Sequence, residues 1–245
     1  MENPSMPTVS PAPGRRGVLS YVRRSPRMTP SQAAWLARFA DQWVIPVRTG
    51  ELGTTVSPGL PVDLPTVFGR VAPLIVEIGS GHGDALVAAA STHPDVDFLG
   101  FEVFDASIAA TLGKIDAAGV TNVRLIAADA VTGLTHLILP RSVQEIWVFF
   151  PDPWPKKRHH KRRLVSGAFA DLASRTLIDD GVIRLATDSQ SYAEHIEAIL
   201  GADPRFELTS TQRFDTRPLT KFEKRGLEAG RAIHDFTYHV TGRES

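Results

Sequence analysis

From Leu74 onward, short apolar runs alternate with helical stretches, and this alternation excludes most of the folds open to a chain of 245 residues. Residues 74–78, 98–103, 123–127, 145–150 and 182–186 read as strands. Residues 84–91, 106–118, 165–178 and 192–200 read as the helices between them. Strand, helix and strand repeated in this order predict an α/β fold, a mostly parallel sheet with helices on both faces. Residues 205–212 and 233–240 add two further candidate strands. Ligands of such open sheets bind beyond the carboxyl ends of the strands, which is where chemistry should be sought.

The chain before Leu74 reads differently. Residues 1–30 hold six prolines and almost no large apolar side chains, so they are expected to form a flexible basic arm, with five arginines against the single acid Glu2. Residues 31–70 should supply a helix and a Pro/Gly-rich loop that pack on a core domain spanning residues 71–245. Ser31 is placed to cap that helix, with Ala34, Trp35, Ala37 and Phe39 following at helical spacing, and residues 50–65 read as loop. The absence of cysteine removes disulfides, thiolate metal sites and cysteine nucleophiles. No apolar run approaches the roughly eighteen residues of a membrane span, and no apolar signal segment opens the chain. A soluble, cytoplasmic protein with no membrane partner is expected.

The first strand runs into Glu77-Ile-Gly79-Ser-Gly81-His-Gly83-Asp84. Glycines here let the backbone turn tightly and approach a ligand, although such a turn also serves as plain structure. A dinucleotide fingerprint would require a third glycine where Asp84 stands, and an acid at a helix N-terminus repels pyrophosphate. Glu102 ends the second strand at the distance where a ribose diol is usually held. Asp129 follows the third strand after Ala127 and Ala128, suited to flank a flat base. Singly, each acid also reads as a solvated strand-end charge. Together, the turn, Glu102 and Asp129 describe an adenosine site without a phosphate cradle, and S-adenosylmethionine fits it.

The fourth strand leads into Phe149-Phe150-Pro151-Asp152-Pro153-Trp154-Pro155. Its prolines fix φ and predict a stiff extended loop that brings Asp152 to the ligand edge. Residues 156–163 then carry six fixed positive charges and no acid, a concentration that the zero net charge of the chain conceals. A polyanionic partner, nucleic acid above all, is expected at this rim. His159 and His160 have no second cluster of ligands at metal spacing, so no metal is expected.

Phe150-Pro-Asp-Pro-Trp-Pro-Lys-Lys-Arg-His-His-Lys-Arg-Arg163 closely resembles the bacterial tRNA (guanine-N7-)-methyltransferase family, the TrmB type. Residues 22–29 (Val-Arg-Arg-Ser-Pro-Arg-Met-Thr), the glycine turn, Gly100-Phe-Glu-Val103, Thr187-Asp-Ser-Gln-Ser-Tyr192 and Thr220-Lys-Phe-Glu-Lys-Arg-Gly226 match in the same order. The resemblance spans roughly residues 20–240 and is most specific at 150–163. It implies a seven-stranded class I (Rossmann-like) methyltransferase sheet, S-adenosylmethionine as donor, and tRNA as partner, methylated on N7 of the guanine at position 46 of the variable loop. It implies that Glu77, Glu102, Asp129 and Asp152, with Gly79 and Gly81 in the turn, contact the cofactor, and that Asp152 is also catalytic. Lys156, Asp188, Thr220, Lys221, Phe222 and Glu223 would contact substrate, and Arg158, His159, His160, Lys161, Arg162 and Arg163 would bind RNA. Arg231 stands where the family pattern leads one to expect a histidine.

Two other functions suit parts of the sequence. Pro-Asp-Pro-Trp resembles the Asp-Pro-Pro-Tyr type motif of exocyclic-amine methyltransferases, but proline and aspartate alternate here. A non-catalytic RNA-binding protein on the same fold is the other alternative, and the intact acids at the strand ends speak against it. A nicotinamide oxidoreductase would leave the basic run without a purpose.

Overall fold

The computed structural model describes residues 20–21 and 27–241, apart from the side chains of Lys221 and Phe222. The greater part of the basic arm expected at residues 1–30 lies outside the described residues.

Helix α1 (Pro30–Trp43) begins one cap earlier than the sequence suggested. Thr29, not Ser31, is the N-cap: its hydroxyl accepts from the Gln32 N–H, the Gln32 side chain accepts from the Thr29 N–H, and Pro30 opens the first turn. Residues 50–63 are irregular as expected, but Asp63 caps a short helix, α2 (Leu64–Phe68).

The alternating region then builds β1 (Leu74–Ile78), α3 (Asp84–Thr92), β2 (Asp97–Glu102), α4 (Asp105–Ala118), β3 (Val123–Ala127), α5 (Ala130–Leu137) and β4 (Val143–Phe149). A 3₁₀ segment, Lys157–Arg162, precedes α6 (Gly167–Thr176), β5 (Leu177–Thr187) and α7 (Gln190–Leu200). β6 (Phe206–Ser210), α8 (Lys221–Glu228) and β7 (His234–Val240) complete the chain. The helix read over 165–178 is shorter than expected because Ser166 caps it and Leu177 already pairs with Val143 in the sheet. Residues 151–155 carry no helix, as their prolines predict, and 3₁₀ turns follow at 157–162.

The seven strands lie in the order β3-β2-β1-β4-β5-β7-β6, parallel except for β7, which runs antiparallel to both β5 and β6. Successive strand residues feed opposite faces. Leu99, Phe101, Ile146 and Val148 join a core with α5, α6 and α7, whereas Phe98, Leu125 and Trp147 join one with α1, α3 and α4. The N-terminal helix is fastened to this second face. A Cβ on Gly113 of α4 would come within 2.7 Å of the Trp35 ring, so the glycine admits the close crossing of α1 over α4. Just past α1, the Ile45 N–H donates to the Leu125 carbonyl at the sheet edge.

This order makes β1 and β4 neighbours and sends their outgoing chains in different directions. The crevice beyond their carboxyl ends is the switch point at which such sheets bind ligands.

Candidate active site

Glu77, Glu102 and Asp129 leave three adjacent strands at one edge of the sheet and are all buried. Glu77 has the most confined carboxyl. Burial, reinforced by the charges of Asp84 and Glu102, pushes its pKa up to about 8, and its Oε2 makes no hydrogen bond. Glu102 differs. Its carboxylate accepts from the N–H groups of Val103 and Phe104 through Oε1 and from Gly81 through Oε2 at 2.9 Å. Burial still raises its pKa, with Asp152 adding to the effect. Asp129 caps α5 by accepting from the Thr132 N–H, and burial raises its pKa as well.

The glycine turn follows Glu77 directly and is tied to Glu102 through the Gly81 N–H. Gly79, Gly81 and Gly83 all have positive φ, and Gly83 caps α3 where a side chain would strike Thr111 at 2.4 Å. Over Gly79, nothing lies within 4 Å of where a Cβ would stand. Asp84, which the sequence placed at the mouth of the turn, pairs with Lys114.

Because its folded pKa is raised, the Glu77 carboxyl stabilises the fold when protonated. That contribution is complete below the ordinary value of 4.5 and is lost as pH rises through about 8. Urea unfolding at about pH 5 and about pH 8.5 should show the decline, and Glu77→Gln should flatten it. A decline of equal size in the variant would assign it to another group.

The Asp152 loop closes the far side. Phe150 and Trp154 both have positive φ without being glycine, so the loop is strained and must be held. Its prolines donate no N–H, and the anchors come from elsewhere. The Phe150 N–H donates to the Ala186 carbonyl, the Trp154 indole to Ser20, and the Arg163 Nε to the Pro153 carbonyl at 3.0 Å. Beyond the loop lies an open cleft of about 770 Å³, lined in part by Phe150, Asp152, Asp188, Arg225, Arg231 and His234.

Residues 71–236 match a family model described as "Putative methyltransferase". The chain is 48% identical over 230 residues to a tRNA (guanine-N(7)-)-methyltransferase of Cutibacterium acnes, covering 91% of this chain and 83% of the relative. It is 45% identical to one from a Nocardioides species, covering 94% and 91%. The chain belongs to the tRNA (guanine-N(7)-)-methyltransferase family. The 16S rRNA methyltransferase KamB shares the fold, at a TM-score of 0.57 and 13% identity, over 81% of this chain and all of that one.

Within this family member the structure divides the basic run. Lys156, Lys157, Arg158 and Lys161 are exposed, and His159 and His160 are half-buried. Arg162 stacks over the Trp154 ring at 4.0 Å. Arg163 is corrected outright: it is buried, donates to Pro153 and to Ser191 through both its carbonyl and hydroxyl, and lies over Tyr192. Its guanidinium braces the Asp152 loop and has no face to offer RNA.

Glu223 is the second correction. The resemblance implies that this acid contacts substrate. Instead Thr220 caps α8, and Glu223 is buried with its oxygens on Arg213 (2.8 Å) and Arg217 (3.1 Å). Arg217 is itself fully buried, reaches Asp235, and lies 5.2 Å from the rings of both Phe149 and Phe150. Arg217 was missed because a lone arginine before a proline carries no pattern. Asp188 lines the cleft and forms an ion pair with Arg231, Oδ2 to Nε at 2.8 Å. The side chains expected of Lys221 and Phe222 lie outside the described residues, and Lys156 is exposed at the start of the 3₁₀ turns.

Proposed function

We infer that this chain transfers a methyl group from S-adenosylmethionine to N7 of a guanine in tRNA, at position 46 of the variable loop. Its place of work is then the cytoplasm. The observation that carries this is one sheet edge where buried carboxyls, among them a Glu77 oxygen with no hydrogen bond, meet the strained Asp152 loop and, beyond it, exposed cations.

The cofactor's groups suit the residues present. An unpartnered, buried Glu77 oxygen beside a turn with open space above Gly79 fits a ligand bearing a cationic amine, and Glu102 and Asp129 fit hydroxyl and amine donors. No lysine or arginine stands in the turn to meet a phosphate. Bound there, S-adenosylmethionine supplies an electrophilic methyl group on a cationic sulfur.

Guanine N7 has a free lone pair, so this chain needs no base to remove a proton before attack. Its task is to hold the purine in the cleft, keep water out and meet the positive charge that grows on the ring. Asp152, the one of the four proposed cofactor-site acids that also lines the cleft, carries a carboxylate suited to that charge. The exposed cations of residues 156–161 would position the RNA without reading its sequence.

Incubation with methyl-labelled S-adenosylmethionine and tRNA lacking the modification, followed by nucleoside mass spectrometry, should yield labelled 7-methylguanosine. Label on an exocyclic amine would replace this reading with the amine-methylating alternative. For the cations, log K for tRNA should fall linearly with log salt, and Arg158→Gln and Lys161→Gln should each reduce the slope by roughly 0.7–0.9. An unchanged slope in the double variant would remove these residues from phosphate contact.

A further inference from the structure

The cleft beyond Asp152 holds an ion pair with no evident structural duty. Arg231 follows α8 and α7 follows Asp188, so the pair joins two connections at the mouth of the sheet. The Arg231 side chain is 50% exposed and that of Asp188 23%. Both line the same cleft as Asp152. Among the described residues, neither side chain makes another hydrogen bond, so the Nη groups of Arg231 and one oxygen of Asp188 keep their capacity.

The pair is built to stay in register. Gly226 packs against Asp188 where a Cβ would come within 3.1 Å of the aspartate Cβ and 3.2 Å of Oδ2. The Arg231 N–H in turn donates to the Gly226 carbonyl at 2.9 Å. One turn of chain therefore wraps the carboxylate and delivers the guanidinium to it.

We propose that Arg231 and Asp188 together read the Watson–Crick edge of the target guanine, with Arg231 donating to O6 and Asp188 accepting from N1–H and the 2-amino group. This rests on the methyl-transfer reading above and assigns specificity within it. A guanidinium only donates and a carboxylate only accepts. Side by side they offer a donor next to an acceptor, the complement of guanine's O6 beside N1–H. Adenine presents the opposite polarity at both positions, a donor where guanine has O6 and an acceptor where it has N1–H. It would set donor against donor and acceptor against acceptor, which discriminates more strongly than a missing contact. N7 lies on the neighbouring edge beside O6, and a purine held by O6, N1–H and the 2-amino group leaves it uncovered for methyl transfer.

The test is an atom-by-residue cycle on full-length tRNA carrying guanine, 6-thioguanine or hypoxanthine at the target position. 6-Thioguanine keeps N1–H and the 2-amino group but replaces O6 with a poor acceptor, and hypoxanthine keeps O6 and loses the 2-amino group. In the wild-type protein, each change should lower kcat/KM by about tenfold or more, the range of a hydrogen bond to a charged group. In Arg231→Ala, the thioguanine and guanine substrates should come within about twofold while the hypoxanthine loss persists. Arg231→Lys should restore part of the preference for oxygen.

An undiminished thioguanine penalty in Arg231→Ala overturns the proposal. So does an equal loss on all three substrates, which would make Arg231 a mere support for Asp188. If the wild-type protein leaves the guanine tRNA itself unmethylated, it is the functional reading that fails.

Discussion

Asp152→Asn should lower turnover by about 10²–10³-fold while S-adenosylmethionine affinity stays within a few-fold. The asparagine keeps the shape of the side chain and its place between the prolines, so the loop anchors at Phe150, Pro153 and Trp154 are untouched. What it removes is the negative charge at the cleft wall, which matters most when positive charge is growing on the purine. An interaction made chiefly in the transition state lowers kcat and kcat/KM together. Single-turnover methyl transfer and cofactor binding by calorimetry separate the two quantities. Lost cofactor affinity with an intact chemical step would make Asp152 a binding residue and leave the charge to be met elsewhere.

Arg217→Ala is expected to destabilise the fold by about 3–5 kcal/mol, the range for breaking a buried charge network. The substitution strands Asp235 without its cation and strips the guanidinium from the Phe149 and Phe150 rings. Glu223 keeps Arg213, so the loss should centre on Asp235. Burial already raises the pKa of Asp235 and Arg217 opposes that rise. Without Arg217 the pKa climbs further, and the variant should lose additional stability as pH increases. Urea unfolding measured across pH tests both parts. A loss below about 1 kcal/mol would mean that the network contributes little to holding α8 on the sheet.

Much of the sheet was legible because its strands are apolar runs bounded by turns. The bounds of β1 and β3 coincide with the expected residues 74–78 and 123–127. The helices that escaped did so for identifiable reasons. α5 is the run Ala-Val-Thr-Gly-Leu-Thr-His-Leu, poor in helix formers, and it forms because Asp129 caps it and Leu134 and Leu137 reach the core. α8 is rich in charge and buries a glutamate where an apolar residue would mark the core face, so it reads as a polar surface segment. The basic run shows the limit most plainly. Arg158 and Arg163 are the same residue in one stretch, and they are told apart by Ser191 and Tyr192, which lie about thirty positions later in the chain.

The strand order divides labour across the sheet. Glu77, Glu102 and Asp129 leave β1, β2 and β3 on one side, whereas Asp152, Asp188 and Arg231 follow or precede β4, β5 and β7 on the other. The connection from β6 to β7 carries α8 and its arginines and crosses none of the strands on the first side. The residues proposed for the donor and those proposed for the target thus fall in separate stretches of the chain, with Asp152 between them. Exchanging residues 211–233 between relatives should leave Glu77, Glu102 and Asp129, and with them cofactor affinity, unchanged.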